Sequence, residues 1–345
     1  MIQKALDGED EDIMPAVESL AAAASSMKKG SFREYIAIAR LDHMTKHAFI
    51  IPGMILAYAL REPPLHDAFA IIVIGFLSAI AIASSNYVIN EWLDREFDAF
   101  HPVKSGRTAV HWTLSPRLVY LEYVALATIG LALAAQVNTL FLYTSILFVI
   151  SGIIYNLRPI RTKDLPYVDV ISESLNNPIR LTLGWAMLDP SALPPGSLLV
   201  AYWAAGAFLM CAKRLSEYRD ISADQGVHLL HRYRRSFQFY TAESLTVSCF
   251  LYAMVSAFFI AIFLVKYRLE YIFALPFIAI LFASYLWLAL LKGSIAQRPE
   301  RMFRSRRLLA SLCIAVLAML LMSFLDLPFL NTLSAPEFTA VDKLK

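Results

Sequence analysis

The stretch NEWLDREFDAFHPVKSGR, residues 90–107, follows a long apolar run and places four acids within nine residues before it becomes basic. Asn90, Asp94 and Asp98 are spaced four apart, so on a helix they lie within about 80° of one face. A carboxylate at the centre of a membrane helix costs about 2.5–3.5 kcal/mol, so these acids belong where the helix meets water or a wet cavity. Oxygen ligands on one face suit Mg²⁺, although a solvated helix end is the simpler interpretation.

The composition explains why an apolar run precedes these acids. Hydrophobic residues make up 58% of the 345 residues and charged residues 17%, which is outside the range of ordinary soluble domains. A membrane span needs roughly 20 mostly apolar residues. The sequence predicts an all-α polytopic membrane protein of about nine transmembrane helices. These lie near residues 43–61, 66–92, 117–135, 138–156, 167–188, 196–214, 239–265, 270–292 and 307–326.

The distribution of Lys and Arg orients these spans, because cytoplasmic loops near span ends are enriched in both. With a cytoplasmic N-terminus, the polar loops near 93–116, 157–166, 215–238 and 293–306 also lie inside. The basic residues that then face outward are Arg61, Lys266, Arg268, Lys343 and Lys345. We therefore expect an integral protein of the plasma (inner) membrane with a loop-built site on the cytoplasmic face.

Two tails flank the predicted membrane domain, residues 35–330. Residues 1–34 open acidic and lack the positive charge that precedes the apolar core of a signal peptide, so they are predicted to form a cytoplasmic tail. Residues 331–345 are predicted to form a short C-terminal tail. The cysteines lie in apolar runs and are too few for a disulfide framework or a zinc site: Cys211, Cys249 and Cys313.

A second acidic cluster, AKRLSEYRDISADQG, closes the sixth predicted span. Glu217, Asp220 and Asp224 share a helix face within about 60°, and Lys213 lies one turn earlier on that face. Two acid-lined helix ends on the same side of the membrane could hold a pair of Mg²⁺ ions that bind a diphosphate. The alternative is an ordinary surface helix in which Lys213 pairs with Glu217.

Basic residues follow both acidic clusters in the predicted inside loops. HPVKSGR supplies His101, Lys104 and Arg107, and NLRPIRTKD supplies three more. The latter are Arg158, Arg161 and Lys163. Phosphates bound to Mg²⁺ still carry charge that Lys and the bidentate fork of Arg can neutralise. Alternatively, these residues only orient the protein, and His101 only caps a helix end.

The fifth predicted span carries a polar stripe at helical spacing. Its members are Asp169, Glu173, Asn176, Asn177 and Arg180. Ionisable residues within a membrane are functional candidates and face a bundle interior or a cavity. A purely structural alternative is an internal ion pair between Glu173 and Arg180, and Pro178 is expected to kink the helix.

NEWLDREFD resembles the NDxxDxxxD signature of the UbiA superfamily of membrane prenyltransferases, with Glu91 in place of the usual Asp. The resemblance extends to RLDHMTKHAFIIPG at 40–53, to the nine predicted spans and to the second acidic cluster. It implies a UbiA-like helical bundle that binds Mg²⁺ and a diphosphate. The metal ligands it implies are Asn90, Glu91, Asp94, Asp98, Glu217, Asp220 and Asp224.

Two elements are similar to one branch of that superfamily, the decaprenyl-phosphate phosphoribosyltransferases. HPVKSGR resembles an HPxKxxR extension and AKRLSE resembles a KRxxE element, although Thr108 stands where the branch has Pro. The resemblance implies transfer of a 5-phosphoribosyl group from phosphoribosyl diphosphate to a polyprenyl phosphate. Membrane lipids are then the other expected partner, and no nucleic acid is expected.

The resemblance and the residue pattern together suggest roles for individual side chains. The expected catalytic residues are Asp94, Asp98, Lys104 and Lys213. The expected substrate-binding residues are Asn90, His101, Lys104, Arg107, Arg158, Arg161, Lys163, Lys213 and Arg214. Within this set, Lys213 and Arg214 are expected to position the acceptor phosphate.

Two rival functions are compatible with parts of this pattern. A UbiA-type prenyltransferase would move a prenyl chain from prenyl diphosphate to an aromatic or other small acceptor with the same metals. A transporter would instead use the stripe of the fifth span, so that Asp169, Glu173 or Arg180 would be essential and the loop acids dispensable.

Overall fold

The computed structural model describes residues 28–66, 68–267, 269–297 and 305–330, and this part of the chain is helical, as predicted. The helices are α1 (Phe32–Ile38), α2 (Ile51–Arg61), α3 (Ala68–Asp98), α4 (Thr108–His111), α5 (Pro116–Val137), α6 (Thr139–Asn156), α7 (Val168–Ser174), α8 (Asn176–Leu188), α9 (Gly196–Gln225), α10 (Val227–Tyr233), α11 (Ala242–Tyr267), α12 (Leu275–Ala289) and α13 (Arg306–Phe324). Two short strands, β1 (Lys28–Lys29) and β2 (Trp112–Thr113), pair in parallel. Most of the predicted N-terminal tail and all of the C-terminal tail lie outside the described residues.

Six of the described helical segments are long and apolar enough to cross a membrane. They are α3, α5, α6, α9, α11 and the segment Leu269–Ala289, in which a 3-10 turn leads into α12. The expected number of nine spans is therefore not confirmed. The ninth predicted span corresponds to α13.

The first and fifth predicted spans are each interrupted. The first consists of a 3-10 helix over Leu41–Ile50 followed by α2. The fifth divides at Leu175 into α7 and α8. Pro178 accounts for this break, because proline lacks an N–H and its ring clashes with the carbonyl four residues earlier. That carbonyl belongs to Ser174, the last residue of α7.

Helices α2 and α8 cross at close range because each has a glycine at the contact. A Cβ atom at Gly53 would lie 1.9 Å from the carbonyl oxygen of Leu181, and one at Gly184 would lie 2.0 Å from that of Ile50. Small residues let membrane helices approach to backbone contact. This crossing places the first predicted span directly against the helix that carries Arg180.

Hydrogen bonds from serine to backbone carbonyls join the longer helices. Ser78 Oγ of α3 donates to the carbonyl of Gly130 in α5 at 2.7 Å, and Ser256 Oγ of α11 donates to that of Ala201 in α9 at 3.0 Å. Such bonds satisfy hydroxyl groups that could find no water in a bilayer. Both α3 and α9 are therefore fixed to a neighbour before they reach their polar C-terminal ends.

Large apolar side chains cover the outside of the bundle. Val247, Phe250, Leu251 and Phe258 of α11 are 58–67% exposed, and Leu121 of α5 is 64% exposed. Contiguous apolar surface of this kind is unfavourable in water and ordinary in lipid. Together with the six membrane-crossing segments, it identifies an integral membrane protein.

The polar ends of α3 and α9 meet at one end of the bundle. His101, just after α3, has its Nε2 atom 4.0 Å from Oε1 of Glu217 in α9. The loop before α11 reaches the same region, where Tyr240 contacts Asp169 of α7. The candidate site is built from these helix ends and loops.

Candidate active site

Asp94 lies one turn before the end of α3 and contacts two basic residues of the 157–166 loop. Arg161 Nη2 is 2.9 Å from Asp94 Oδ1, and Lys163 Nζ forms a further contact with the same oxygen. Lys163 is only 4% exposed. The structure thus brings two of the predicted substrate-binding residues to the first acidic motif.

Asn90 lies one turn deeper than Asp94 and contacts a residue that the sequence analysis did not identify. Its Nδ2 atom donates to Oδ1 of Asn156 at 2.6 Å, and Lys163 Nζ donates to the same oxygen at 2.9 Å. Asn156 is the last residue of α6. A single Asn at a span end gives little signal in the sequence, because such residues commonly cap helices.

Asp98 and Glu91 have different partners, although both belong to the first acidic motif. Asp98, at the end of α3, pairs with Arg107 of the following loop. Glu91 accepts a hydrogen bond from the backbone N–H of Ala109 at 3.3 Å and lies 3.4 Å from Nε of Arg40. Glu91 therefore fixes segments that flank the site, instead of sharing the contacts of the other motif acids.

His101 connects the two acidic motifs. Its Nδ1 atom accepts hydrogen bonds from the backbone N–H groups of Val103 and Lys104 at 3.1 and 3.2 Å. The ring proton is therefore on Nε2, which faces Glu217. Burial, together with the charge of Lys104, lowers the pKa of His101. His101 thus holds the turn that follows α3 as a neutral residue and also faces the second motif.

Arg214 is the centre of the second acidic motif and is 1% exposed. Its guanidinium nitrogens lie 2.9 Å from Glu173, 3.3 Å from Glu217 and 3.4 Å from Asp169. Buried charges require such pairing. Arg214, which is expected to position the acceptor phosphate, contacts three carboxylates in this structure. The alternative pairings of Glu217 with Lys213 and of Glu173 with Arg180 are replaced by these contacts.

Asp169 extends this network to the loop before α11. It accepts hydrogen bonds from Tyr240 at 2.5 Å, Arg234 at 3.1 Å and Ser236 at 3.2 Å. Arg234 also donates to the hydroxyl of Tyr155 at 3.0 Å. None of these four partners was predicted, because no local pattern links a loop arginine or a tyrosine to an acid far away in the sequence.

Asp220 and Asp224 turn toward the loop after α12. Asp220 accepts hydrogen bonds from the N–H of Gly293 at 2.9 Å and from Gln297 at 2.6 Å, and Asp224 pairs with Lys292 at 2.8 Å. Both aspartates line a cavity of about 360 Å³. His101 and Pro102 form part of the opposite wall. The helix face predicted for Glu217, Asp220 and Asp224 is therefore divided between the Arg214 network and this cavity.

The lysines of the site lack full charge compensation. Burial lowers the pKa of Lys104 to about 8, although Glu217 and Asp98 act in the opposite direction. Burial also lowers the pKa of Lys163 to about 8 despite its contact with Asp94. Lys213 is half-buried and lies in the field of Glu217 and Glu173. A bound anion would raise the pKa of both loop lysines, so the site favours an anionic ligand.

Arg158 is a predicted substrate-binding residue that the structure leaves at the surface. It is exposed at the turn that follows α6. Within the described ranges, no acid forms an ion pair with it. Its position agrees with the topological interpretation of the basic loops.

The acids of the site are already occupied by basic side chains. In the part of the chain that the structure describes, no three His, Cys, Asp or Glu side chains converge to form a metal site. Mg²⁺ needs only one or two carboxylates when substrate phosphates and water supply its other ligands. The Asn90, Asp94 and Asp98 face fits an ion of that kind, because Asp94 and Asp98 already attract positive charge.

Comparison with known proteins identifies the fold. Residues 48–311 match the UbiA prenyltransferase family. Among solved structures, a UbiA homolog from Archaeoglobus fulgidus bound to GPP and Mg²⁺ is 20% identical, with a TM-score of 0.63, over 84% of this chain and 98% of that one. The same homolog bound to DMAPP and Mg²⁺ is 19% identical, with a TM-score of 0.62, over 85% and 100%.

A further solved structure, described as digeranylgeranylglyceryl phosphate synthase in membranes, is 13% identical with a TM-score of 0.57. The match covers 84% of this chain and 97% of that one. No functionally curated protein gives a significant match. At these identities, the solved structures establish the fold of this chain and do not identify its substrates.

Proposed function

This chain belongs to the UbiA prenyltransferase family. We propose that, within that family, it uses a phosphosugar diphosphate as its donor. It would transfer a 5-phosphoribosyl group from phosphoribosyl diphosphate to a polyprenyl phosphate. The observation that carries this proposal is the set of basic residues around the first acidic motif: Lys104, Arg107, Arg161 and Lys163.

The number of phosphate groups separates this reaction from prenyl transfer. A prenyl diphosphate brings one anionic group, whereas phosphoribosyl diphosphate also has a 5-phosphate, and the phosphate of the lipid acceptor is a third anionic group. Lys104 and Lys163 are desolvated ammonium groups whose pKa values are lowered to about 8. Both become fully charged next to an added anion. The site therefore suits a substrate pair with several phosphates.

Magnesium fits the donor side of the site. Asn90, Asp94 and Asp98 would hold the ion together with the diphosphate, and Glu217 would face it from α9. The solved homolog from Archaeoglobus fulgidus contains Mg²⁺ with a prenyl diphosphate, which supports this assignment. When bound, the ion would supply Lewis-acid stabilisation of the leaving diphosphate.

The remaining residues have electrostatic roles. The bond between the anomeric carbon and the diphosphate oxygen breaks, and an oxygen of the lipid phosphate forms the new bond to that carbon. The lipid phosphate is already ionised, so no strong general base is needed. Lys104 and Arg107 would stabilise charge that develops on the departing phosphates, and Lys213 would lie toward the acceptor. His101 would keep this loop in position.

The location of the site follows from the same loops. Arg and Lys concentrate in the loops near 93–116 and 157–166, which build the site. Because loops of this composition remain in the cytoplasm, we place the site on the cytoplasmic face of the plasma (inner) membrane. A water-soluble phosphosugar would reach it from that side.

Prenyl transfer to an aromatic or other small acceptor is the second candidate. It is favoured by the ligands of the solved homolog, which are GPP and DMAPP. This reaction requires an apolar acceptor pocket, and its acceptor needs no phosphate-binding residues. Transport is not supported, because Asp169 and Glu173 of the polar stripe are held by Arg214.

One assay separates the two transfer reactions. Purified protein in lipid is incubated with ribose-labelled phosphoribosyl diphosphate, polyprenyl phosphate and Mg²⁺, and the lipid fraction is extracted. We expect label in the lipid, and we expect chelation of Mg²⁺ to abolish it. Unlabelled lipid, combined with transfer from a prenyl diphosphate to an aromatic acid, would establish the second candidate instead.

A further inference from the structure

Arg180 carries a buried charge in α8, inside the helical bundle. It is 8% exposed, and its Nε atom has no hydrogen-bond partner in the described structure. Its guanidinium carbon lies 5.1 Å from the ring centroid of Phe148, which offers only a cation–π contact. Glu173, the acid nearest in sequence, pairs with Arg214. An ionised residue at this depth is expensive unless a ligand compensates its charge.

Two further basic residues, Lys46 and His47 of the first predicted span, lie in the surroundings of Arg180. His47 is 7% exposed with an unpartnered Nδ1 atom, and the charges of Arg180 and Lys46 both act on it. Lys46 Nζ lies 5.1 Å from the ring centroid of Tyr87, whose field also reaches Arg180. No acid among the described side chains contacts Lys46, His47 or Arg180. The contact between α2 and α8 at Gly53 and Gly184 is what brings these residues together.

This basic cluster lies on the membrane side of the candidate active site. Asn86, which donates to the carbonyl of Phe148 at 3.1 Å, is one turn deeper in α3 than Asn90. Phe148 is about two turns deeper in α6 than Asn156. Arg180 therefore lies roughly 6–12 Å farther from the loops than the contact between Asn90 and Asn156. The charge of Lys46 also acts on Lys213, so the cluster lies near the candidate site.

We propose that Lys46, His47 and Arg180 bind the phosphate monoester of the lipid acceptor. This proposal rests on the proposed function, in which a water-soluble donor enters from the loops and a lipid enters from the bilayer. Lys46 and Arg180, which lie deeper in the bundle than the loop lysines Lys104 and Lys163, then meet the phosphate attached to the lipid tail. The fork of Arg180 matches a phosphate bidentately, whereas Arg214 is occupied by three carboxylates.

Direct binding of a prenyl phosphate tests the proposal without turnover. The probe is a short prenyl monophosphate, added to the purified full chain in detergent without donor, and the matching prenyl alcohol is the control ligand. We expect Arg180→Gln to raise the Kd of the prenyl phosphate roughly tenfold or more and to leave that of the alcohol unchanged. Arg180→Lys should retain much of the affinity.

Stability measurements distinguish this role from a structural one. Removing an uncompensated buried charge should leave the Tm of the ligand-free protein unchanged or higher. The matched control is Arg61→Gln, at the far end of α2, where Arg61 pairs with Asp189 at 2.8 Å. Arg61→Gln should leave the Kd of the prenyl phosphate unchanged, whether or not it lowers the Tm. An Arg180→Gln protein with lower Tm and unchanged Kd would overturn the proposal.

Steady-state kinetics assign the phosphate to a substrate. Arg180→Gln should raise the KM for polyprenyl phosphate, and Lys104→Gln should raise that for phosphoribosyl diphosphate. An effect of Arg180→Gln on the donor KM alone would place the donor in this cluster and overturn the proposal.

If wild-type protein transfers no ribose label, the proposed function fails. In that case, binding of prenyl phosphate that depends on Arg180 would still support a lipid-phosphate site at Lys46, His47 and Arg180. Binding of an aromatic carboxylate in its place would overturn that site.

Discussion

Asp94 is the residue whose contacts most resemble those of a metal ligand, because one of its oxygens already holds the two cations of Arg161 and Lys163. We expect Asp94→Asn to reduce Mg²⁺-dependent transfer by about 10²–10³-fold, since loss of a preorganised electrostatic group has effects of that size. The measurement is label transfer to lipid over a range of Mg²⁺ concentrations. Glu96→Gln is the matched control, because Glu96 is on the same helix, is 76% exposed in its side chain and, among the described residues, pairs with its neighbour Arg95. Equal activity of both variants would remove Asp94 from the metal site.

Lys104 should make donor binding depend on pH. Its pKa is lowered to about 8 by burial, so the ammonium is charged and attracts phosphate below that pH and is neutral above it. The KM for phosphoribosyl diphosphate should therefore rise as pH increases from about 7 to 9. Lys104→Arg stays charged throughout this range, so its profile should be flatter. Parallel profiles for the two proteins would exclude Lys104 as the titrating donor contact.

At the scale of secondary-structure elements, Arg214 holds α7, α9 and the loop before α11 together through Asp169 and its partners. Arg214→Met would leave three carboxylates without their central cation. Breaking one side of a buried network costs about 3–5 kcal/mol, so we expect the Tm to fall by on the order of 10 °C. Thermal unfolding in detergent measures this, with exposed Arg158→Gln as the control. A Tm equal to that of the control would mean that solvent replaces Arg214.

Sequence periodicity predicts the elements well and their contacts poorly. The i, i+4 spacing of Asn90, Asp94 and Asp98 correctly placed them on one helix, and Pro178 marked the break in the fifth span. The partners Asn156, Arg234 and Tyr240 come from distant parts of the chain, and no helical period encodes such contacts. Glu217 and Asp220 were predicted to act together from their shared helix face. The 3-10 turn after α12 instead captures Asp220 through Gln297, and periodicity cannot show which neighbour is packed against a face.

For the whole molecule, the charge distribution predicts which end faces the cytoplasm. Single cysteines in a protein whose native cysteines are replaced by Ala can be treated with a membrane-impermeant maleimide on intact cells. Ser115→Cys, in the predicted inside loop before α5, should react only after the membrane is opened. Pro64→Cys, in the connection after α2, should react at once. Both positions are exposed, and the reverse pattern would invert the topology and move the site outside.

The ion pairs of Asp94 and Asp98 also affect the order in which ligands bind. If Mg²⁺ alone took these carboxylates, Arg107 and Lys163 would lose their acidic partners, and Arg161 would keep only Asp164. A phosphate substrate that arrives with the metal supplies the missing counter-charge, so binding becomes an exchange of partners with little change in net charge. The protein should accordingly discriminate against free Mg²⁺. Calorimetry should show weak Mg²⁺ binding until the diphosphate is present. Substrate binding would therefore determine when the metal binds.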